Sequence, residues 1–220
     1  MISITKGDEP ESLRDNGAAW TTQLMAHVSA GTKIPDNLKN KYNQTDVREA
    51  LRTECNGKCM YCESRIGHVT YDHIEHVKPK AKDKYPDLTF TWTNLGLACP
   101  MCNMNKSDDY DETAPVVNPY EDDPNRHFVA VGGFVYHRAG DVRGEMTERT
   151  IELNRSVLLE QRLERIDAVR ALADRYESAA EPLKSVLRNE IRREAESDKP
   201  YSMCVKSAFN AILNDSPIVG

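Results

Sequence analysis

Four cysteines stand as two close pairs, Cys59-Met60-Tyr61-Cys62 and Cys99-Pro100-Met101-Cys102, separated by residues 63–98. A CxxC turn brings two thiolates to one ion at the distance and angle that tetrahedral zinc requires, and two such pairs make a four-thiolate site. A redox motif would need one pair only. Structural zinc of this kind contributes on the order of 10 kcal/mol of folding free energy, so Cys59, Cys62, Cys99 and Cys102 are expected to staple the chain rather than to react. Inside the loop that the metal would close lies Tyr71-Asp72-His73-Ile74-Glu75-His76-Val77-Lys78-Pro79-Lys80, in which an acid precedes a histidine twice. That pairing suits phosphodiester hydrolysis. A neutral imidazole can take the proton of an attacking water at physiological pH, and a hard divalent ion held by carboxylate and amide oxygens offsets charge on the phosphate.

Elements of several kinds must position these groups. The first 45 residues read as a polar N-terminal arm with one weak helical pattern around Ala18 to Val28. Thr45 followed by Asp46 and Glu49 predicts a helix start; Val47, Ala50 and Leu51 give it an apolar side, and Asn56-Gly57 ends it. Residues 46–126 are expected to form the core that contains the cysteine and histidine cluster. Beyond an acidic, proline-bearing linker, Phe128-Val129-Ala130-Val131, Gly132-Gly133 and Phe134-Val135-Tyr136 predict a hairpin with a tight glycine turn. From about 145 onward Leu159, Leu163, Ile166, Val169, Leu172 and Tyr176 recur at three- and four-residue steps, with Arg162, Glu164, Arg165 and Arg170 read as solvated. Pro182 predicts a new helix start, and a last helix is expected through Met203, Ala208, Phe209 and Ile212. Residues 127–220 thus read as a hairpin and a helical region, suited to docking a partner.

Composition narrows the function further. Hydrophobic residues make up 39% of the 220 positions, and no apolar run approaches the length of about 18 that spans a bilayer. The start, MISITKGDEP, lacks the basic-then-apolar order of a secretion signal, so a soluble cytoplasmic protein with no membrane contact is expected. Six cysteines in such a reducing compartment favour metal over disulfides. Cys55 is either a spare thiol or a competing ligand, and Cys204 reads as core. A net charge of −6 argues against coating nucleic acid with the whole surface. The alternating Lys78, Lys80, Lys82 and Lys84, with Arg52, Lys58, Arg65 and Lys106 in the same segment, nevertheless form a basic patch beside the acid-histidine pairs, suited to phosphate. His27, His68, His127 and His137 read as ordinary surface or hairpin residues.

The order Cys59-Met60-Tyr61-Cys62-Glu63, then Ile74-Glu75-His76-Val77-Lys78-Pro79-Lys80, then Trp92-Thr93-Asn94-Leu95 running into Cys99-Pro100-Met101-Cys102-Asn103-Met104-Asn105-Lys106, resembles the HNH endonucleases. The resemblance covers about residues 58 to 108. It implies an α+β fold: a ββα-metal HNH core stapled by the four-cysteine zinc site, followed by the short hairpin and the C-terminal helical region. It implies His76 as general base, because proline stands three positions past it, with Glu75 and Asn103 holding Mg2+ or Mn2+. Asn94 would brace the loop, and Lys106, with Lys78 and Lys80, would face phosphate. Asp72-His73 is the rival pair and carries a secondary role.

A narrower likeness joins these motifs to Asn118-Pro119-Tyr120-Glu121-Asp122-Asp123-Pro124 and to the stretch from Thr150 to Arg162, in which Thr150-Ile151-Glu152-Leu153-Asn154-Arg155 is followed by Leu158 and Arg162. It resembles the PtuB-type nuclease subunits of Septu and retron anti-phage systems. The implied partners are DNA first, RNA second, and an ABC or SMC-like ATPase of the PtuA type. The alternative reading is a zinc-stapled nucleic-acid-binding or adaptor subunit without turnover.

Overall fold

The computed structural model describes residues 1–67 and 71–214. His68 therefore lies outside the described residues.

Three helices, α1 (Glu11–Ser29), α2 (Asp36–Lys39) and α3 (Thr45–Glu54), carry the N-terminal quarter of the chain. Helix α1 is longer than the weak sequence pattern around Ala18 to Val28, because Pro10 opens it ahead of Leu13, Gly17 and Leu24, which it buries. It is locked to α3 through Asp46, whose carboxylate accepts from the Ser12 backbone N–H at 2.9 Å and the Ser12 hydroxyl at 2.8 Å. The strand-like start of the chain also lies on the core: Ile4 N–H donates to the Pro119 carbonyl, and the Trp92 indole donates to the Gly7 carbonyl. The predicted α3 stop is observed, with Asn56 and Gly57 both at positive φ, 51° and 65°.

The centre is a two-stranded antiparallel sheet and one helix. Strands β1 (His73–His76) and β2 (Leu95–Ala98) pair with His73 opposite Ala98 and Glu75 opposite Gly96. Every residue of β2 is buried. Period-two alternation then puts His73 and Glu75 on one face of β1 and Ile74 and His76 on the other. Helix α4 (Pro100–Lys106) begins immediately after β2, with proline at its first turn, where the missing N–H costs nothing. The order strand, strand, helix is the ββα arrangement expected from the motifs. Gly96 is required by packing, since a Cβ there would stand 2.3 Å from the Met60 sulfur.

Helix α5 (Pro124–His127) leads into the hairpin of β3 (Phe128–Val131) and β4 (Phe134–His137), which turns at Gly132-Gly133 as predicted. The helices α6 (Val142–Ile151), α7 (Ser156–Ser178), α8 (Leu183–Glu194), α9 (Ser202–Ala208) and α10 (Asn210–Asn214) follow. No helix among the described residues is long and apolar enough to cross a membrane. His127 and His137 donate to Asp141 and Glu148 at 2.6 and 2.7 Å and tie the hairpin to α6.

Two α7 residues depart from the sequence reading. Leu163 is 48% exposed, whereas Arg162, read as solvated, is 1% exposed. Its guanidinium donates to the carbonyls of Gly133 at 3.0 Å, in the hairpin turn, and of Leu153 at 2.8 Å, just after α6. The periodic stripe is real, but α7 is covered on two sides, and the second neighbour offers carbonyls rather than apolar groups. Arg162→Met keeps the side-chain volume and strands both carbonyls, so we expect a loss of about 3 kcal/mol. Scanning calorimetry should then show the melting temperature lowered by roughly 6–12 °C; an unchanged transition would mean that water replaces the guanidinium without cost.

Candidate active site

The CxxC turns bring Cys59, Cys62, Cys99 and Cys102 together, all four buried, with their sulfurs within 4.8 Å of one another and 3.9 Å between Cys62 and Cys99. A tetrahedral ion with metal–sulfur bonds of about 2.3 Å needs sulfurs about 3.8 Å apart, so the cluster fits a structural metal of the zinc type. Its surroundings fit as well. Arg155 directs a guanidinium N–H to Cys102 Sγ at 3.5 Å, and the Ser64 hydroxyl lies 3.1 Å from Cys62 Sγ. Four thiolates on a dication leave a net negative charge, which the partly buried guanidinium of Arg155 would offset. Burial pulls the Arg155 guanidinium down, yet the sulfurs of Cys102 and Cys62 outweigh it and hold it above its ordinary value. The Met60 N–H donates to the Leu97 carbonyl, so the first turn is bonded directly to β2. Cys55 stands apart, 3.4 Å from the Tyr120 hydroxyl, and Cys204 is buried in the core.

The staple places β1 and α4 side by side around a cleft of about 340 Å³. Asp72, His73, Glu75, His76 and Asn103 all line it. His76, 6% exposed, points its Nε2 at the Thr89 carbonyl, 3.0 Å away. A carbonyl only accepts, so Nε2 carries the proton and Nδ1 keeps its lone pair. The ring packs edge-on against Tyr42, with centroids 4.6 Å apart. Burial, with the nearby Lys80 ammonium, holds the imidazole down to about 3 despite the Thr89 carbonyl. His76 is therefore neutral at physiological pH.

Glu75 is 2% exposed and turned toward α4. Lys106 Nζ reaches its Oε1 at 2.8 Å, and the Tyr61 hydroxyl donates to the same oxygen at 3.3 Å. Burial pushes its carboxyl up, and Lys106 only partly compensates. Both contacts fall on Oε1, which leaves Oε2 as the oxygen available to a ligand in the cleft. Lys106 itself departs from the expectation that it faces phosphate. It is 1% exposed and also donates to the His76 carbonyl at 2.9 Å, because its position on α4 sits directly over β1.

The loop after β1 is braced by Asn94. Its Oδ1 accepts from the Lys78 N–H at 2.8 Å, while its Nδ2 donates to the Lys78 carbonyl at 3.0 Å and the Leu88 carbonyl at 3.2 Å. Leu88 precedes Thr89, so the amide joins the loop carrying His76 to the carbonyl that orients its ring. Lys80 Nζ lies 3.1 Å from the Tyr42 hydroxyl, and Lys78 Nζ lies 5.3 Å from the centre of the Tyr85 ring.

His73 and Asp72 have different surroundings. The Asn103 amide nitrogen lies 3.1 Å from His73 Nδ1, so a neutral His73 accepts from it and turns the Asn103 oxygen the other way. The Asp72 carboxylate is held by Arg48 at 2.8 Å and Arg52 at 2.7 Å, both from α3. Burial pushes its carboxyl up, but the Arg52 bond and charge outweigh this and hold it below the usual carboxylate range. Arg48, Tyr42 and Arg155 have no role in the sequence reading, and Arg52 enters it only in the basic patch. The four-residue step between Arg48 and Arg52 places them on one helix face and was the one available signal; for Tyr42 and Arg155 the contact is made only by folding.

Comparison with known proteins meets this geometry at the same residues. The HNH endonuclease family model matches residues 59–109, from the first zinc-type ligand through α4. Residues 59–109 are therefore similar to the HNH endonucleases. The chain is also 30% identical over 156 residues to the Septu protein PtuB of Bacillus thuringiensis, an alignment covering 70% of this chain and 55% of that protein. It is 28% identical over 197 residues to the Septu protein PtuB of Bacillus mycoides (strain KBAB4), covering 74% of this chain and 66% of that protein. The chain spans less than two thirds of the length of either relative. The matched segment takes in the staple cysteines, β1, β2 and α4, so the cleft they border is the place to look for hydrolysis.

Proposed function

We propose that this chain is a divalent-metal-dependent endonuclease that hydrolyses phosphodiester bonds of DNA, and that it serves as the nuclease subunit of a Septu-type anti-phage system. One observation carries the reading: the segment that matches the HNH model is the segment whose Glu75, His76 and Asn103 line one cleft. In this reading zinc occupies the four-cysteine staple and Mg2+ or Mn2+ is held by Glu75 Oε2 and the Asn103 amide oxygen. The donor set suits a hard cation, since both donors are oxygens of the kinds such ions prefer. When bound, that cation supplies positive charge to the non-bridging and leaving oxygens of the scissile phosphate.

The remaining work falls to the chain. His76 Nδ1, with its lone pair directed by the Nε2 bond to Thr89, takes the proton of the attacking water. Thr89 and Asn94 hold the imidazole and its loop still, and Tyr42 limits solvent on one side of the ring. Lys106 and Tyr61 aim the Glu75 carboxyl before substrate arrives. Lys80 lines the cleft as a phosphate contact, and Lys78, over the Tyr85 ring, is the second. Glu75-His76 is preferred over Asp72-His73 because two arginines already occupy Asp72. The Septu name of the relatives supports a defence role, with a PtuA-type ATPase as partner and residues 127–214 offering the docking region. The reading includes a cytoplasmic location, which the unpaired cysteines support.

The test is direct. Purified chain, alone and with its partner ATPase, is incubated with plasmid DNA and with RNA in Mg2+, in Mn2+ and in a chelator too weak to strip thiolate-bound zinc. Cutting of DNA in either cation and none in the chelator is expected. If neither preparation cuts any nucleic acid, the chain is a zinc-stapled adaptor; if RNA alone is cut, the substrate assignment is wrong.

A further inference from the structure

A second concavity, of about 520 Å³, opens beside the catalytic cleft between the α1–α2 connection and the loop after β1. Lys33, Lys39 and Lys82 ring it, and Leu24, Ile34 and Ala81 contribute its apolar surface. Lys80 and Asp108 line both this groove and the cleft of Glu75, His76 and Asn103, so the two are continuous. Thr89 lines the groove as well, and its carbonyl receives the His76 Nε2 proton at 3.0 Å. The groove wall is thus one hydrogen bond from the imidazole. Lysines of a merely solvated loop would stand on a convex surface, whereas these surround a hollow. Two acids, Asp36 and Asp108, share the lining, and Asp36 is paired with Lys39 at 3.3 Å. Four lysines outnumber them.

We propose that this groove is a subsite for a single-stranded stretch of the nucleic acid cut at His76, with backbone phosphates on Lys33, Lys39 and Lys82 and a base against Leu24, Ile34 and Ala81. The proposal rests on the nuclease reading above. Its chemistry selects an unpaired strand over a duplex. A duplex turns its base faces inward and shows phosphates alone, while an unpaired strand offers phosphates and an apolar base face together. The groove presents both kinds of surface at once. It also gives α1, α2 and their connection a function, because these N-terminal elements form one wall of the path into the cleft.

The experiment uses the full chain carrying His76→Ala, so that the probe survives. Fluorescence anisotropy is measured with a labelled oligothymidylate of about twenty nucleotides and with a duplex of the same length, over a salt series. Lys33→Gln, Lys39→Gln and Lys82→Gln are combined in that background, with the charge-reversed set Lys33→Glu, Lys39→Glu and Lys82→Glu as a second variant; circular dichroism and bound zinc report folding. Neutralising three phosphate contacts should lower the salt slope for the single strand by about two and weaken binding at least about tenfold, with a smaller loss for the duplex. The proposal is overturned if single-strand affinity stays within about twofold of the parent in both variants, if the duplex loses as much, or if the parent binds neither probe. Cleavage by the chain with His76 intact separates the two readings. Cutting in Mg2+ by a protein whose lysine variants bind normally removes the groove and leaves the nuclease.

Discussion

On the proposed function, His76→Ala is expected to abolish cleavage of plasmid DNA in Mg2+ while the chain keeps the metal of its staple. A positioned general base contributes about 10²–10⁴-fold, and the alanine variant should lose at least that much in turnover. The substitution removes a buried ring that donates to Thr89 and packs on Tyr42, so some stability is lost as well. Bound zinc and far-ultraviolet dichroism separate the two effects, because a folded, stapled variant without activity isolates the chemistry. His73→Ala is the companion. His73 touches the Asn103 amide, so its loss should weaken metal binding and slow cutting without ending it. If His73→Ala is dead and His76→Ala cuts normally, Asp72-His73 is the working pair and the assignment reverses. The pH dependence follows from the burial of His76. Its imidazole is held down to about 3, so the base form persists well below the ordinary value near 6.5, and cutting should not fall through that value on account of His76. The sign for stability is the opposite of a salt-bridged histidine. Between about 6.5 and about 3 only the unfolded chain takes up the proton, so this residue destabilises the fold progressively as pH falls through that window.

Removing the staple metal is expected to unfold the core outright. The contribution of a four-thiolate zinc is on the order of 10 kcal/mol, comparable with the whole stability of a typical domain at about 5–15 kcal/mol. The four cysteines reach one point from separate places: a turn bonded to β2 at Met60 and Leu97, and the first turn of α4. Without the ion, four adjacent sulfurs beside a guanidinium lose the group that holds them together. Cys102→Ser should therefore express poorly or give a chain whose amides in β1, β2 and α4 exchange freely, and a strong thiolate-competing chelator should do the same to the intact protein. Elemental analysis should find one zinc in the folded protein. A Cys102→Ser variant with an undisturbed melting transition, or a folded protein with no metal, would remove the staple from the account.

Part of this molecule was legible before folding because the chemistry is local. Two CxxC turns each bring their sulfurs together within four residues, so the cluster could be read from spacing. The Gly132-Gly133 turn and the Asn56-Gly57 stop are local for the same reason: they depend on the φ values of the residues themselves. The apolar stripe of α7 was legible as period, but not the partner of each face. Arg162 has the composition of a solvated position and is buried where it donates to two carbonyls, one in the hairpin turn and one just after α6.

The sequence by itself determined the two cysteine pairs that cluster as a structural metal would need, the order strand, strand, helix, and the narrowing of the chemistry to two acid-histidine pairs. Tertiary structure alone decided how those pairs differ, because Arg48 and Arg52 approach Asp72 from a helix about twenty residues upstream and Lys106 approaches Glu75 from α4. It alone brought the N-terminal helices against the cleft and turned Lys106 inward. A side chain's charge and type are written in its own residue, whereas its partner and its exposure are set by groups distant in the chain, and in this site those distant groups determine which carboxylate is free to act.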